Sequence, residues 1–178
     1  MQGVLFDECE RREVAPTKGQ LLKWIGNKQR FAPEIAAYFP WKSRKYFEPF
    51  LGSGAVLGTL APQDALGSDA FAPLIEIWKT LKERPKTLQA WYRDRWQAMA
   101  GGEKVAEYEK VKASFNHAPN GADLLFLCRT CYGGVVRFRQ ADGAMSTPCG
   151  PHAPVSPAAF DRRVDEWHGR VAGAEFVV

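Results

Sequence analysis

The segment Glu48-Pro49-Phe50-Leu51-Gly52-Ser53-Gly54 carries the residues best suited to holding a ligand. Glycines at a strand-to-helix turn let the backbone come close to a bound molecule, and the helix that follows offers N–H groups without intrahelical partners. The dinucleotide fingerprint fails here, because its third glycine belongs at position 57, where Leu57 stands and Gly58 comes one place late. Asp69 follows Gly54 by fifteen residues, at the end of the next predicted strand. An acid there can accept both hydroxyls of a ribose, much as in dinucleotide sites. It also suits the N-cap of a helix opening at Phe71, and the two roles are compatible. This pattern is the floor of a pocket for a nucleoside-containing cofactor.

Two further groups of residues bear on chemistry. In Leu22-Lys23-Trp24-Ile25-Gly26-Asn27-Lys28, a tryptophan between lysines and beside a glycine can stack on a base and bring cations near a carboxylate or phosphates. Downstream, Arg129, Arg137 and Arg139 flank or form a hairpin and are candidates for contacts with a polyanion, against the plainer alternative of a solvated strand face. Lys104, Lys110 and Lys112 are most simply a helix surface.

The elements that must position these groups follow from periodicity. A helix is predicted over 29–39, with Phe31, Ile35, Tyr38 and Phe39 on one face and Pro40 ending it. Strands are predicted at 45–50 and 64–69, with helices over 55–60 and 71–82. Strand, glycine turn, helix, strand and acid, in that order, open a parallel α/β sheet. Pro85 suits a first helical position, and Leu88, Trp91, Tyr92, Trp96 and Met99 share one helical face, a stripe better suited to a core than to a stacking platform. Gly101-Gly102 breaks that helix, another runs over 103–114, and Asn120-Gly121 starts a third. Residues 135–139 alternate apolar and basic ahead of Asp142-Gly143, a hairpin signal. Pro148, Pro151, Pro154 and Pro157 mark a loop, and a last helix (157–170) precedes a strand (174–178). The region 80–155 is thus expected to be an inserted, mostly helical, basic subdomain, after a frayed lead-in at 1–16.

Bulk properties bound the class. No apolar run approaches the roughly 20 residues of a membrane span, and the N-terminus is charged and acidic rather than signal-like, so a soluble cytoplasmic protein is expected. The net charge of +4 is unevenly spread. Residues 16–45 hold seven Lys/Arg against Glu34 alone, and residues 79–139 hold twelve against six acids. Two basic stretches suit a polyanionic partner as well as they suit a solvated surface.

The ordered segments LLKWIGNKQR, YFEPFLGSGAVLGTL, GSDAFAPLI and LCRTCYGGVVRFRQADGAMSTPCG resemble the Dam-type DNA adenine-N6 methyltransferases, over nearly the whole chain from Leu21 onward. The resemblance implies a Rossmann-like S-adenosylmethionine-dependent α/β layer interrupted by a mainly helical DNA-recognition insert. Its parts would be a cofactor-binding part at 17–82, the insert at 83–156 and a return to the first domain at 157–178. S-adenosylmethionine would be held by Lys23, Trp24, Gly26, Lys28, Glu48, Pro49, Phe50, Gly52, Ser53, Gly54 and Asp69. Double-stranded DNA would be met by Arg129, Tyr132, Arg137 and Arg139, in a restriction-modification setting. The sequence departs from the family pattern at Cys128 and Gly133, where asparagines are usual, and in the Ala-Phe that follows Asp69.

The family's catalytic Asp-Pro-Pro-Tyr motif has no counterpart, since no Pro-Pro dipeptide occurs in the 178 residues. That motif accepts hydrogen bonds from the adenine N6 amine and stacks on the flipped base. The chain is therefore expected to be a truncated or split enzyme, inactive alone, with no catalytic residue of its own and completed by a downstream segment or second polypeptide. A non-catalytic cofactor- or DNA-binding remnant is the alternative. A parallel sheet without its later strands should also expose an apolar edge, favouring poor solubility or dimerisation. Cys128-x-x-Cys131 and Cys149-x-x-His152 have zinc-site spacing with seventeen residues between the pairs, but the resemblance accounts for Cys131 without metal, and no metal is expected. Pro148-Cys149 lacks the context of a cytosine-methyltransferase nucleophile.

Overall fold

The computed structural model describes residues 13–14, 19–40 and 45–178. The predicted lead-in, apart from 13 and 14, lies outside the described residues, as do Lys18, Lys42 and Arg44 of the first basic stretch. Three short strands, β1 (Tyr46–Glu48), β2 (Ala65–Ser68) and β3 (Ala174–Val177), form a parallel sheet in the order β1-β2-β3. Tyr46 pairs with Ala65, and Ala65 with Ala174, so β2 lies between its neighbours. Parallel strands need crossovers. The first is α2 (Ala55–Leu60), and the second contains α3 (Ala72–Glu83), α4 (Pro85–Gly101), α5 (Lys104–His117), α6 (Gly121–Thr130), a 3-10 turn (Tyr132–Gly134) and α7 (Pro157–Arg170).

Local sequence sets the helix starts. Proline occupies the first turn of α3, α4 and α7, where its missing N–H costs nothing. Glu103 caps α5 by accepting from the Val105 and Ala106 N–H groups, and Asn120 caps α6 by accepting from Asp123 N–H. Two predicted elements differ. The helix predicted over 29–39 shortens to α1 (Ala32–Ala37), which turns Ala32, Ala36 and Ala37 inward while Phe31 and Tyr38 stay exposed. The predicted hairpin has no regular strands, only two isolated antiparallel bridges, Cys131 with Cys149 and Phe138 with Met145. A side chain replaces part of its ladder, because Thr147 Oγ1 donates to Val135 O and accepts from Arg137 N–H.

One continuous core joins the sheet to the segment 83–156. Every residue of α6 is buried, and this helix packs against α3, α4 and α5. Tyr92 of α4 stacks on Phe160 of α7 with ring centroids 4.1 Å apart. Arg95 reaches the buried Asp123 carboxylate with Nε at 2.8 Å, tying α4 to α6. In this core α4 and α6 are built into the same packing as α3 and α7. Among the described residues, no helix is long and apolar enough to cross a membrane.

The joint between α2 and α7 is tight: a Cβ placed on Gly58 would overlap the Trp167 ring. Alanine favours a helix over glycine by about 1 kcal/mol, but overpacking a filled core costs about 1–3 kcal/mol. The backbones of α2 and α7 would have to separate, so the clash should win. Gly58→Ala is expected to lower Tm by several degrees in a calorimetric scan; an unchanged or raised Tm would show that the joint has slack.

Candidate cofactor site and nucleic-acid interface

A cavity of about 430 Å³ opens at the carboxyl end of the sheet, within the size range of small-molecule sites. Its walls come from three separated segments: Trp24, Ile25, Gly26 and Lys28; then Glu48 and 50–53 with Ala55; then Asp69. The structure thus gathers Trp24, Gly26, Lys28, Glu48, Phe50, Gly52, Ser53 and Asp69 of the expected cofactor residues. Pro49 and Gly54 support the turn without lining the cavity. Lys23 points elsewhere, its stem packed over Gly134, and lines a second cavity of about 320 Å³ with Arg129, Cys131, His152 and Arg163. Ile25, Leu51 and Ala55 were missed as lining residues; their only signal is adjacency to the motif residues.

The glycines of the turn are required by conformation and by space. Gly52 and Gly54 have φ of 49° and 60°, a region costly for other residues. A Cβ on Gly54 would lie 2.8 Å from the Trp78 ring, whose Nε1 donates to Gly52 O at 3.1 Å. A Cβ on Gly52 would crowd Trp24 at 3.2 Å. The indole of Trp24 thus lies directly over the turn, and it stacks on Phe71 with centroids 6.0 Å apart.

Two carboxylates face this cavity with different constraints. Asp69 accepts from Gly52 N–H through Oδ2 (3.0 Å) and from Phe71 N–H through Oδ1 (3.1 Å). It therefore ties the glycine turn to the entry of α3, while each oxygen keeps a further lone pair for a ligand hydroxyl. Glu48 Oε2 accepts from Tyr46 Oη (3.0 Å) and Leu57 N–H (2.9 Å). Burial raises the Glu48 carboxyl above its ordinary value, and these two hydrogen bonds only partly oppose the rise. The phenol of Tyr46 is raised too, chiefly by burial.

The residues expected to meet DNA separate into two environments. Arg137, Arg139 and Tyr132 are exposed on the hairpin and the turn before it. Arg139 is held by Asp142, with Nε to Oδ1 at 3.0 Å and Nη2 to Oδ2 at 2.6 Å. Arg129 departs from expectation. It is 8% exposed, and its Nη1 donates to Gln20 O and Leu21 O at 3.0 and 2.7 Å while the guanidinium lies over the Phe160 ring. Its place in the last turn of a wholly buried helix makes it an internal strut rather than a surface cation. Among the described residues, no group of three or more His, Cys, Asp or Glu is arranged to hold a metal ion.

A parallel sheet whose first strand runs through a glycine turn into a pocket, with an acid after the second strand, defines a nucleoside-cofactor-binding α/β protein. Residues 24–150 match the D12 class N6 adenine-specific DNA methyltransferase family, and the chain belongs to that family. It is 39% identical over 158 residues to a type II methyltransferase of Lactococcus lactis subsp. cremoris, covering 81% of this chain and 51% of that protein. It is 31% identical over 142 residues to a DNA N-6-adenine-methyltransferase of Escherichia phage P1, covering 75% of this chain and 18% of that one. A type II methyltransferase of Methanocaldococcus jannaschii is 29% identical over 170 residues, or 85% of this chain and 56% of the relative. The chain thus spans about half the length of two of these relatives and less of the phage protein. Methyltransferases of this class use S-adenosylmethionine.

Two substitutions probe the carboxylates apart from any ligand. An Asn side chain at 69 has one acceptor oxygen, so one of the Gly52 and Phe71 N–H groups loses its partner. Asp69→Asn should cost about 1–2 kcal/mol of unfolding free energy in a denaturant titration. For Glu48, a raised folded value means the native state holds the proton more tightly than the unfolded chain. The stability penalty of the ionised carboxylate is thus absent at pH below the ordinary glutamate range and complete above the folded value. Glu48→Gln should be relatively more stable than the parent at pH 8 and lose that advantage near pH 4. Parallel stability–pH curves for the two proteins would contradict this.

Proposed function

We propose that this chain supplies the S-adenosylmethionine pocket and the DNA-facing hairpin of a DNA adenine-N6 methyltransferase. The observation that carries the reading is that Trp24 to Lys28, Glu48 to Ala55 and Asp69, distant in sequence, meet around one cavity. The residues fit the cofactor by their chemistry. The remaining lone pairs of Asp69 suit the ribose hydroxyls, the indole of Trp24 offers an aromatic face, and the half-buried Glu48 carboxylate suits an ammonium group. The glycine turn lets the backbone close on the ligand without side-chain interference. When bound, the cofactor supplies an electrophilic sulfonium methyl. This chain's part is to fix that methyl in place, since in-line transfer to an amine depends mostly on positioning.

On the nucleic-acid side, Arg137 is exposed on the hairpin with no carboxylate partner among the described residues, which suits a phosphate or base-edge contact. Arg139 already engages Asp142, so it has less to gain. The acceptor clamp is assigned to residues beyond these 178, on a following segment or a second polypeptide, because no Pro-Pro dipeptide is present to provide it. Target methylation in a restriction-modification context is the setting suggested by the two type II relatives.

Calorimetric titration of S-adenosylmethionine into the chain should show one site, weakened at least about tenfold by Asp69→Ala, in line with the loss of two hydrogen bonds to ligand hydroxyls. On a short DNA duplex, Arg137→Ala should weaken binding several-fold and reduce the salt-dependence slope by about 1, while Arg139→Ala has the smaller effect. Absence of cofactor binding would sink the pocket assignment. Methyl transfer to DNA by this chain alone would overturn the placement of the clamp elsewhere, and cofactor and DNA binding without transfer in any longer form would favour a non-catalytic role.

A further inference from the structure

The described residues contain three free cysteines, Cys128, Cys131 and Cys149, none of which lines the cofactor cavity. Cys131 and Cys149 face each other across an antiparallel bridge at the neck of the hairpin. The hydrogen bonds on either side of them define the type of pair. Gly150 N–H donates to Thr130 O and Tyr132 N–H donates to Pro148 O, both at 2.8 Å. Bonds in those flanking positions make the cysteines a non-hydrogen-bonded pair, the kind in which facing Cα atoms are about 4.5 Å apart and side chains approach most closely. A disulfide needs Cα atoms roughly 4.4–6.8 Å apart. The backbone is therefore set for a cross-link without having to move.

Cys128 does not compete from this position. It is fully buried within α6, and its Sγ turns back along the helix to Leu125 O at 3.2 Å. Of the facing pair, Cys131 is buried and Cys149 is partly exposed, so an oxidant meets Cys149 first. The neighbouring contacts keep the pair in register: Tyr108 Oη donates to Thr147 O at 2.8 Å, and Lys104 Nζ donates to Gly150 O at 2.6 Å.

We propose that Cys131 and Cys149 form a covalent modification site, a thiol pair that a peroxide converts to a disulfide closing the neck of the hairpin. The Cys149 thiolate attacks one peroxide oxygen and breaks the O–O bond; hydroxide leaves and takes a proton to become water, and the sulfur becomes a sulfenic acid. The Cys131 thiol, losing its proton to solvent, then attacks that sulfur, forms the S–S bond and expels hydroxide, which becomes the second water. Two thiols are oxidised, one peroxide is reduced, and the atoms balance. Burial pushes the Cys131 thiol up to about 11 and raises Cys149 as well, so the reaction is slow at neutral pH. The same elevation makes both sulfurs poor leaving groups, which slows reduction of the disulfide by other thiols.

The test treats the reduced full chain with hydrogen peroxide at pH 8.5, blocks remaining thiols with N-ethylmaleimide, and maps the unreduced digest by mass spectrometry. The expected product is one cross-linked peptide pair joining 131 to 149. It should come with a Tm raised by about 5–10 °C, because the closed loop restricts the unfolded chain. Dithiothreitol should reverse both changes, and Cys149→Ser should show neither. The proposal is overturned if Cys149 runs on to sulfinic acid while Cys131 stays alkylatable. It is equally overturned by a disulfide through Cys9 or Cys128.

Discussion

The indole of Trp78 is the contact on which the rest of the site depends. It is fully buried, and it touches three parts of the fold at once. Its edge fills the space left by the missing side chain of Gly54, and its N–H holds Gly52 O. Its faces meet Phe176 of β3 at 5.8 Å and Trp167 of α7 at 5.6 Å between centroids. The left-handed turn that shapes the cavity floor is thus fixed from below by α3 rather than by its own sequence alone. Trp167 extends the constraint, since its ring fills the space over Gly58 and its Nε1 donates to Gly19 O at 2.7 Å. Two tryptophans therefore set both the floor of the cavity and the approach of the segment that carries its lid residue, Trp24.

Much of this was legible in the sequence where the information is local. The glycine turn, the strand before it and the acid after the second strand need only near neighbours, and they fall where periodicity and turn chemistry put them. Of the stripe Leu88, Trp91, Tyr92, Trp96 and Met99, the first, third and last are buried, while Trp91 and Trp96 are partly buried against the core.

What was not legible depended on partners far away in the chain. Arg129 has the composition of a surface residue, yet its acceptors are the carbonyls of Gln20 and Leu21, more than a hundred positions earlier. Only the apolar character of α6 on all sides hinted that a cation in its last turn would be enclosed. The shortened α1 follows the same logic. Its large residues suggested an inward face, but the fully buried positions are Ala32, Ala36 and Ala37, with Ile35 and Phe39 half-buried against the core and Phe31 and Tyr38 exposed. In the hairpin, alternation suggested paired strands, whereas Thr147 bonds to the opposing backbone with its side chain and leaves only bridges.

The carbonyls of Gly19, Gln20 and Leu21 have one further consequence. They are held by Trp167, Arg163 and Arg129, all from the last third of the chain. The wall of the cavity nearest the N-terminus is therefore secured only by contacts that close loops of more than a hundred residues, at a cost in chain entropy. A fragment ending after β2 would carry every glycine of the turn and still lack a pocket. Any ligand held by this cavity would therefore draw the whole chain toward its native form by mass action.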